Sequence, residues 1–283
     1  MLLRRIPGRR PARRRSGHVA GLALCVAAVT ACGAGVSGST TIPVPPTRAT
    51  AEVSGPAGNA MAPPQPEPSA VVDPVLVAAG DIACDPAESG FNGGRGGEDE
   101  CLMGAVSDAI LAEPRVDAVA ALGDVQYECG GAQAFARSYE PTWGRLKAIT
   151  YPAVGNHEYL SEVIEGDVAT DCDESGRAAG YYSYYGARAG APNRGYYSYD
   201  LGAWHVIVLN TQCRSAGGCR VGSPQERWLR ADLAAHRARC TLAYFHIPRW
   251  SSGGRANANS APFIAALVEA GADVVLAGHD HTY

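Results

Sequence analysis

The chain has 283 residues, 46% apolar and 18% charged, with a formal net charge of −4, a composition that fits a globular protein and excludes a wholly disordered one. Seven of its 24 Lys and Arg residues are arginines crowded into residues 1–31, so without that stretch 17 basic residues face 28 acidic ones, a net charge near −11. So acidic a domain argues against nucleic-acid binding, and to act on an anionic ligand it would need local positive charge, for which bound metal ions are the obvious source.

In chain order, the arginine-rich start holds no acid and runs into an apolar stretch, Val19 to Ala31. That stretch is too short for a permanent bilayer span and suits a secretory signal over residues 1–31. It ends Val29-Thr30-Ala31-Cys32, which resembles the bacterial lipobox, where small residues admit the signal peptidase and the cysteine thiol takes the lipid. Cys32 would then be the mature N-terminus and the lipidation site, holding the protein to the cell surface and touching the membrane through that anchor alone. The alternative is a plain signal with Cys32 incidental, giving a secreted protein. Residues 32–74 hold Ala, Gly, Ser, Thr and Pro and little else, so they read as a disordered tether that builds no core.

Nine cysteines fit an exported protein better than a reducing cytosol. Outside residues 1–32 seven remain, an odd number, so at least one is free or pairs elsewhere. No C-x-x-C pair occurs, which argues against a structural zinc site. The pairings favoured are Cys84 with Cys101 and Cys213 with Cys219, each closing a Gly-rich loop.

From Val75 onward short apolar strands alternate with helices. Residues 75–79 form a buried-strand run followed by Gly80-Asp81; residues 101–112 place Leu102, Val106 and Ile110 on one helical face; residues 116–122 form a strand followed by Gly123-Asp124. Further on, Gly202 separates the arms of a hairpin, 196–201 and 204–209. Ser223 and Glu226 form a capping box, with Pro224 at the first helical position, and open a helix through Trp228, Leu229 and Leu233. Residues 241–245 form a strand ending at His246, and Ser260 caps a helix that stops at Gly271 before a last strand over 274–277. The near-repeat of 180–184 and 195–199, each Gly-Tyr-Tyr-Ser-Tyr, is read as two paired aromatic strands. Alternation of this kind implies an α/β domain over 75–283, with functional residues beyond the carboxyl ends of its strands.

Five polar motifs occupy those positions: Gly80-Asp81, Gly123-Asp124-Val125-Gln126-Tyr127, Gly155-Asn156-His157-Glu158, His246-Ile247-Pro248 and Gly278-His279-Asp280-His281. Singly each has a bland reading as a turn former, a core aromatic or a buried histidine. Together, in this order, they resemble the calcineurin-like metallophosphoesterases, and more narrowly the purple acid phosphatase branch. The resemblance implies an α/β layered sheet sandwich flanked by helices and a binuclear metal centre. One metal would be held by Asp81, Asp124, Tyr127 and His281, the other by Asp124, Asn156, His246 and His279, with Asp124 bridging. The wider superfamily carries Asp-x-His at the first motif; here Ala83 stands in the histidine's place. The phosphatase branch instead takes a tyrosine three residues after the bridging aspartate, where Tyr127 lies.

Oxygen-rich ligation with a phenolate suits Fe³⁺, and the nitrogen-rich half suits Zn²⁺, Mn²⁺ or Fe²⁺. The implied activity is hydrolysis of phosphate monoesters by a metal-bound hydroxide, with His157 facing substrate as the catalytic residue and Glu158 orienting its neighbours. A phosphodiesterase on the same centre, or a non-catalytic cell-surface metal-binding module, are the alternatives. Family members usually continue with further strands past the last histidines, so an end at Tyr283 reads as a truncated domain.

Overall fold

The computed structural model describes the backbone of residues 25–28 and residues 73–281, apart from positions 161, 163–166, 174, 237 and 239. Cys32, the tether as far as residue 72 and the rest of the proposed signal lie outside the described residues. Within the proposed signal, Cys25–Ala28 forms strand β1 and pairs antiparallel with β2.

Two four-stranded sheets make up the centre. In the first, β1 is followed in spatial order by β2 (Val75–Ala79), β3 (Ala118–Leu122) and β4 (Thr150–Ala153), with β2, β3 and β4 parallel. The second orders β5 (Tyr197–Leu201), β6 (Trp204–Val208), β7 (Cys240–Phe245) and β8 (Val274–Ala277). Here β5 and β6 form the hairpin, and β6, β7 and β8 run parallel. Strands apolar at every position are what a sheet covered on both faces requires, and side-chain alternation assigns each residue to its layer. Leu76, Ala78, Ala118, Ala120 and Leu122 meet Trp204, Val206, Val208, Leu242 and Tyr244 between the sheets. On the opposite faces, Val77, Ala79, Val119 and Ala121 pack under the helices of the first half, and Ile207, Ala243 and Phe245 pack under those of the second.

The outer layers are α1 (Met103–Ala112), a helical stretch over 132–142 and α2 (Ala179–Tyr185) on the first sheet, and α3 (Pro224–Ala235) and α4 (Ala261–Ala270) on the second. Tyrosines cross between the sheets. Tyr151 and Tyr199 stack at 3.8 Å between ring centroids, and the Tyr244 hydroxyl donates to the Tyr151 carbonyl at 2.7 Å. The layered α/β sandwich implied by the resemblance is therefore the fold observed.

Two local expectations are corrected. The first Gly-Tyr-Tyr-Ser-Tyr copy is not a strand: it lies in α2, where Tyr181, Tyr182 and Tyr185 turn one face inward, while the second copy does contribute β5. Four tyrosines in five residues satisfy helical and strand periodicity alike, so surroundings decide. Gly180 lets α2 approach the Gly130 carbonyl so closely that an added Cβ would lie 2.1 Å from it. Ser260 does precede α4, but its hydroxyl donates to the Asn257 carbonyl and caps nothing; the chain enters through a 3₁₀ turn capped by Asn257, whose Oδ1 accepts from the Asn259 amide at 2.8 Å.

Disulfides join Cys84 to Cys101 and Cys213 to Cys219, the two favoured pairings, and also Cys129 to Cys172, which spacing did not suggest. Cys240 is disulfide-bonded as well. Such bonds fit an oxidising compartment. Among the described residues no helix is long and apolar enough to cross a membrane.

Candidate metal centre

Each of the five motifs leaves the carboxyl end of a parallel strand: Asp81 after β2, Asp124 after β3, Asn156 after β4, His246 after β7 and His279 after β8. The first two loops stay paired beyond their strands, with the amides of Asp81, Ile82 and Ala83 donating to the carbonyls of Gly123, Asp124 and Val125. Asp81, Asp124 and His279 are held at φ of 55°, 46° and 73°. For a residue with a Cβ this left-handed conformation costs about 1 kcal/mol. Strain of that kind gathers at functional sites, where surrounding contacts enforce it. Glycine is required beside them: a Cβ on Gly155 would sit 2.0 Å from Asp124 Oδ1, and one on Gly123 would sit 2.6 Å from His246 Nδ1.

The structure brings all seven predicted ligands together. On one side the Tyr127 hydroxyl lies 2.9 Å from Asp81 Oδ1 and 3.1 Å from His281 Nε2, and His281 Nε2 lies 3.0 Å from the same carboxylate oxygen. On the other, His246 Nε2 is 3.0 Å from Asn156 Oδ1 and 3.2 Å from His279 Nδ1. Asp124 belongs to both. Its Oδ2 is 2.9 Å from His246 Nε2 and 3.5 Å from the Tyr127 hydroxyl.

The surroundings fix these side chains in orientation. His246 Nδ1–H donates to the Leu122 carbonyl at 2.9 Å, leaving Nε2 for the cluster. The His279 amide donates to Asp81 Oδ2, and the His157 amide to Asp124 Oδ1, each at 2.9 Å. Glu158, fully buried, turns away from the cluster and accepts from the amides of Gln126 and Gly155, so it clamps the second and third motif loops together. His157 Nδ1–H donates to the Glu128 carbonyl at 2.7 Å, its ring lies 4.3 Å from that of Tyr127, and Nε2 is 4.0 Å from Asp124 Oδ2. Ala83 is buried, and its carbonyl accepts the Tyr127 amide at 2.8 Å, so the position without a histidine helps seat the tyrosine.

Burial alone would raise the Asp124 carboxyl, but the imidazoles of His246 and His157 outweigh it and hold the carboxyl well below its usual range. Burial opposes charge on His246, yet Asp124 beside it lifts its pKa to about 9. The Tyr127 phenol is pushed well up, by burial first and then by the two aspartates. Burial and then the charge of His246 lower His279, while the hydrogen bond that His281 donates to Asp81 raises His281. Burial, followed by the Asp124 charge, pushes Glu158 up to about 7. Asp124 is thus held as an anion, and its charge raises His246 beside it.

Arg249, just past the fourth motif, lies over the Trp250 ring, 5.4 Å from its centroid. The orienting role expected of Glu158 gains its partners only here, and these amides and the Leu122 carbonyl behind His246 were invisible in sequence because they are main-chain groups. Donor chemistry and layout fit a metal pair: two carboxylates, a phenol, an amide oxygen and three imidazoles form two sets sharing one carboxylate. Asp124, His246 and His279 offer ligand atoms within 4.8 Å of one another.

The model of the calcineurin-like phosphoesterase family matches residues 75–283. The chain belongs to this family. Membership implies a dinuclear metal centre, the arrangement to which the two donor sets lend themselves. A purple acid phosphatase isolated from yellow lupin (Lupinus luteus) seeds superposes with a TM-score of 0.52 at 17% identity, covering 72% of this chain and 37% of the lupin chain. GAP50, the anchor in the inner membrane complex of Plasmodium, gives a TM-score of 0.41 at 15% identity, over 72% of this chain and 65% of that one. PhoD gives 0.38 at 15% identity, over 72% and 53%. The chain therefore spans a little over a third of the length of the lupin enzyme, and at 17% identity that likeness shows the fold. No curated protein matches the chain.

Proposed function

We propose that this protein is an exported, metal-dependent phosphoesterase that hydrolyses phosphate monoesters at a binuclear centre. The observation that carries the reading is the placing of Asp124, whose Oδ2 faces His246 on one side and Tyr127 on the other. A carboxylate shared in this way offsets the repulsion between two closely spaced cations. In this reading Asp81, Tyr127 and His281 hold one ion, Asn156, His246 and His279 the other, and Asp124 both. Bound there, a metal pair supplies Lewis-acid polarisation of phosphoryl oxygens and lowers the pKa of water.

The chain's own groups do the rest. His157, with Nδ1–H committed to a carbonyl, keeps Nε2 beside the cluster, where the imidazolium form would give its second proton to the leaving oxygen and remain as the neutral Nδ1–H ring. Glu158 keeps Gly155 and Gln126, and with them the ligands Asn156 and Tyr127, in register. The phenol among the donors favours Fe³⁺ at the Asp81 set, with Zn²⁺, Mn²⁺ or Fe²⁺ at the other. Lipid attachment at Cys32, with the acidic domain tethered beyond it, would keep the enzyme at the cell surface, and the cleavage that frees Cys32 would take β1 from the edge of the first sheet.

Metal analysis of purified protein, with turnover on a panel of phosphate monoesters and diesters, tests this. About two metal ions per chain, a visible tyrosinate-to-iron absorption band and preference for monoesters are expected. Faster turnover of diesters would move the assignment to a phosphodiesterase, a colourless but active zinc protein would remove the iron, and full metal without hydrolysis would make the protein a binding module.

A further inference from the structure

A second group of metal-ligating side chains lies at the other end of the second sheet. His205 is the second residue of β6, near the amino ends of the parallel strands, whereas the phosphoesterase motifs follow their carboxyl ends. It is buried, and both of its ring nitrogens are engaged: Nε2 lies 2.8 Å from Asp232 Oδ2, and Nδ1 lies 2.8 Å from Asp200 Oδ1. Asp200 is its register partner on β5. Asp232, also buried, sits in the last turn of α3, where the Ser198 hydroxyl donates to its Oδ1 at 2.9 Å. One helical turn on, His236 places Nδ1 3.0 Å from the Asp232 main-chain carbonyl and 3.3 Å from that same carboxylate oxygen, and its ring stacks on His205 with centroids 4.5 Å apart. One ligand atom from each of His205, Asp232 and His236 lies within 4.8 Å of the others.

We infer that His205, Asp232 and His236 form a zinc site separate from the phosphoesterase centre. Two imidazoles and one carboxylate are the three-ligand set zinc takes when a fourth position stays open. Hard cations such as Ca²⁺ and Mg²⁺ ask for more oxygens than these residues offer. Asp200 supplies the carboxylate behind the histidine that zinc sites commonly carry, orienting the ring and raising its basicity. The end of α3 adds favourable potential for a cation, since the helix C-terminus is its negative pole. His236 is exposed and lines a cleft with Leu233, Ala234, Thr241 and Glu269, which leaves a route for the ion and its water ligand.

The stacking also favours an ion over a pair of protons. Without an ion, His205 must carry a proton on each nitrogen to donate to Asp200 and Asp232 at once, a cationic ring stacked on His236, whereas one divalent cation meets the Asp232 carboxylate and two neutral rings together. An ion there would pin the β5–β6 hairpin to the end of α3.

The test is zinc stoichiometry by equilibrium dialysis of the full chain against Zn²⁺, together with thermal melting, on the native protein, His236→Ala and Asp200→Asn. Both substitutions are at exposed side chains and outside the phosphoesterase machinery. Native protein should hold one zinc ion more per chain than His236→Ala and show a larger zinc-dependent rise in Tm, with phosphoester turnover equal in the two. Asp200→Asn should weaken that extra ion by roughly 10–100-fold. Equal zinc counts and equal Tm responses in all three proteins would overturn the assignment. Zinc count and melting do not depend on hydrolysis, so this result stands apart from the fate of the proposed activity.

Discussion

Asp124 accepts the His157 amide through one oxygen and faces His246 and Tyr127 through the other, while its own backbone is held in the left-handed region. Replacing it with alanine removes the only carboxylate common to both donor sets. Turnover of Asp124→Ala should fall by more than about 100-fold, with less than two metals retained per chain; steady-state kinetics beside metal analysis checks this, and normal turnover with full metal would refute the bridging role. His157 contacts the Glu128 carbonyl and the Tyr127 ring but belongs to neither donor set. His157→Ala should keep both metals and lose about 10²–10⁴-fold in kcat, the range of a positioned proton donor. These side chains were legible one by one, since glycine followed by Asp, Asn or His after an apolar run is a local pattern. His205, Asp232 and His236 were not. They come from a strand and a helix, and their spacing carried no signal beyond the one-turn interval between Asp232 and His236.

At the scale of elements, α3 shows how a local rule is met with a change of detail. Ser223 Oγ accepts the Glu226 amide, but the Glu226 carboxylate reaches back to the amide of Gly222, one residue before the cap, and also meets the guanidinium of Arg230. Arg230 first, and then the Gly222 amide, lower the Glu226 pKa below its ordinary value. A depressed carboxyl lends stability that is complete above the unfolded-state value, about 4.3, and is lost as pH falls through the folded value. Glu226→Gln should therefore melt lower than native protein at pH 6, and the gap should close as pH falls below about 4. A gap independent of pH in thermal melts would show that the charge is not responsible. The strands over 75–79 and 274–277 and the stop of α4 at Gly271 were readable because apolar runs and a left-handed glycine are signals within one segment. The helix at 179–185 was not, because the tyrosine cluster fits two periodicities and packing against the Gly130 loop chose between them.

For the molecule as a whole, disulfides hold loops that the sheets alone leave open. Cys84 and Cys129 follow the first and second motifs within three residues of Asp81 and two of Tyr127, and their bonds tie those loops to Cys101, just before α1, and to Cys172, ahead of α2. Removing the Cys84–Cys101 bond in a double alanine variant frees a loop closed across 17 residues, worth about 3 kcal/mol in chain entropy. A fall in Tm of roughly 6–12 °C is expected in calorimetry, and an unchanged Tm would show that packing alone secures the loop. The α/β class and the place of the five motifs at strand ends were determined by the order of residues, because strand, turn and glycine signals act over a few neighbours. The pairing of two sheets and the convergence of the seven candidate ligands from loops up to 200 residues apart were decided by the fold. So were the third disulfide and the second histidine–aspartate cluster. Those contacts join distant segments, and their energy exists only once both sheets and their helices have packed.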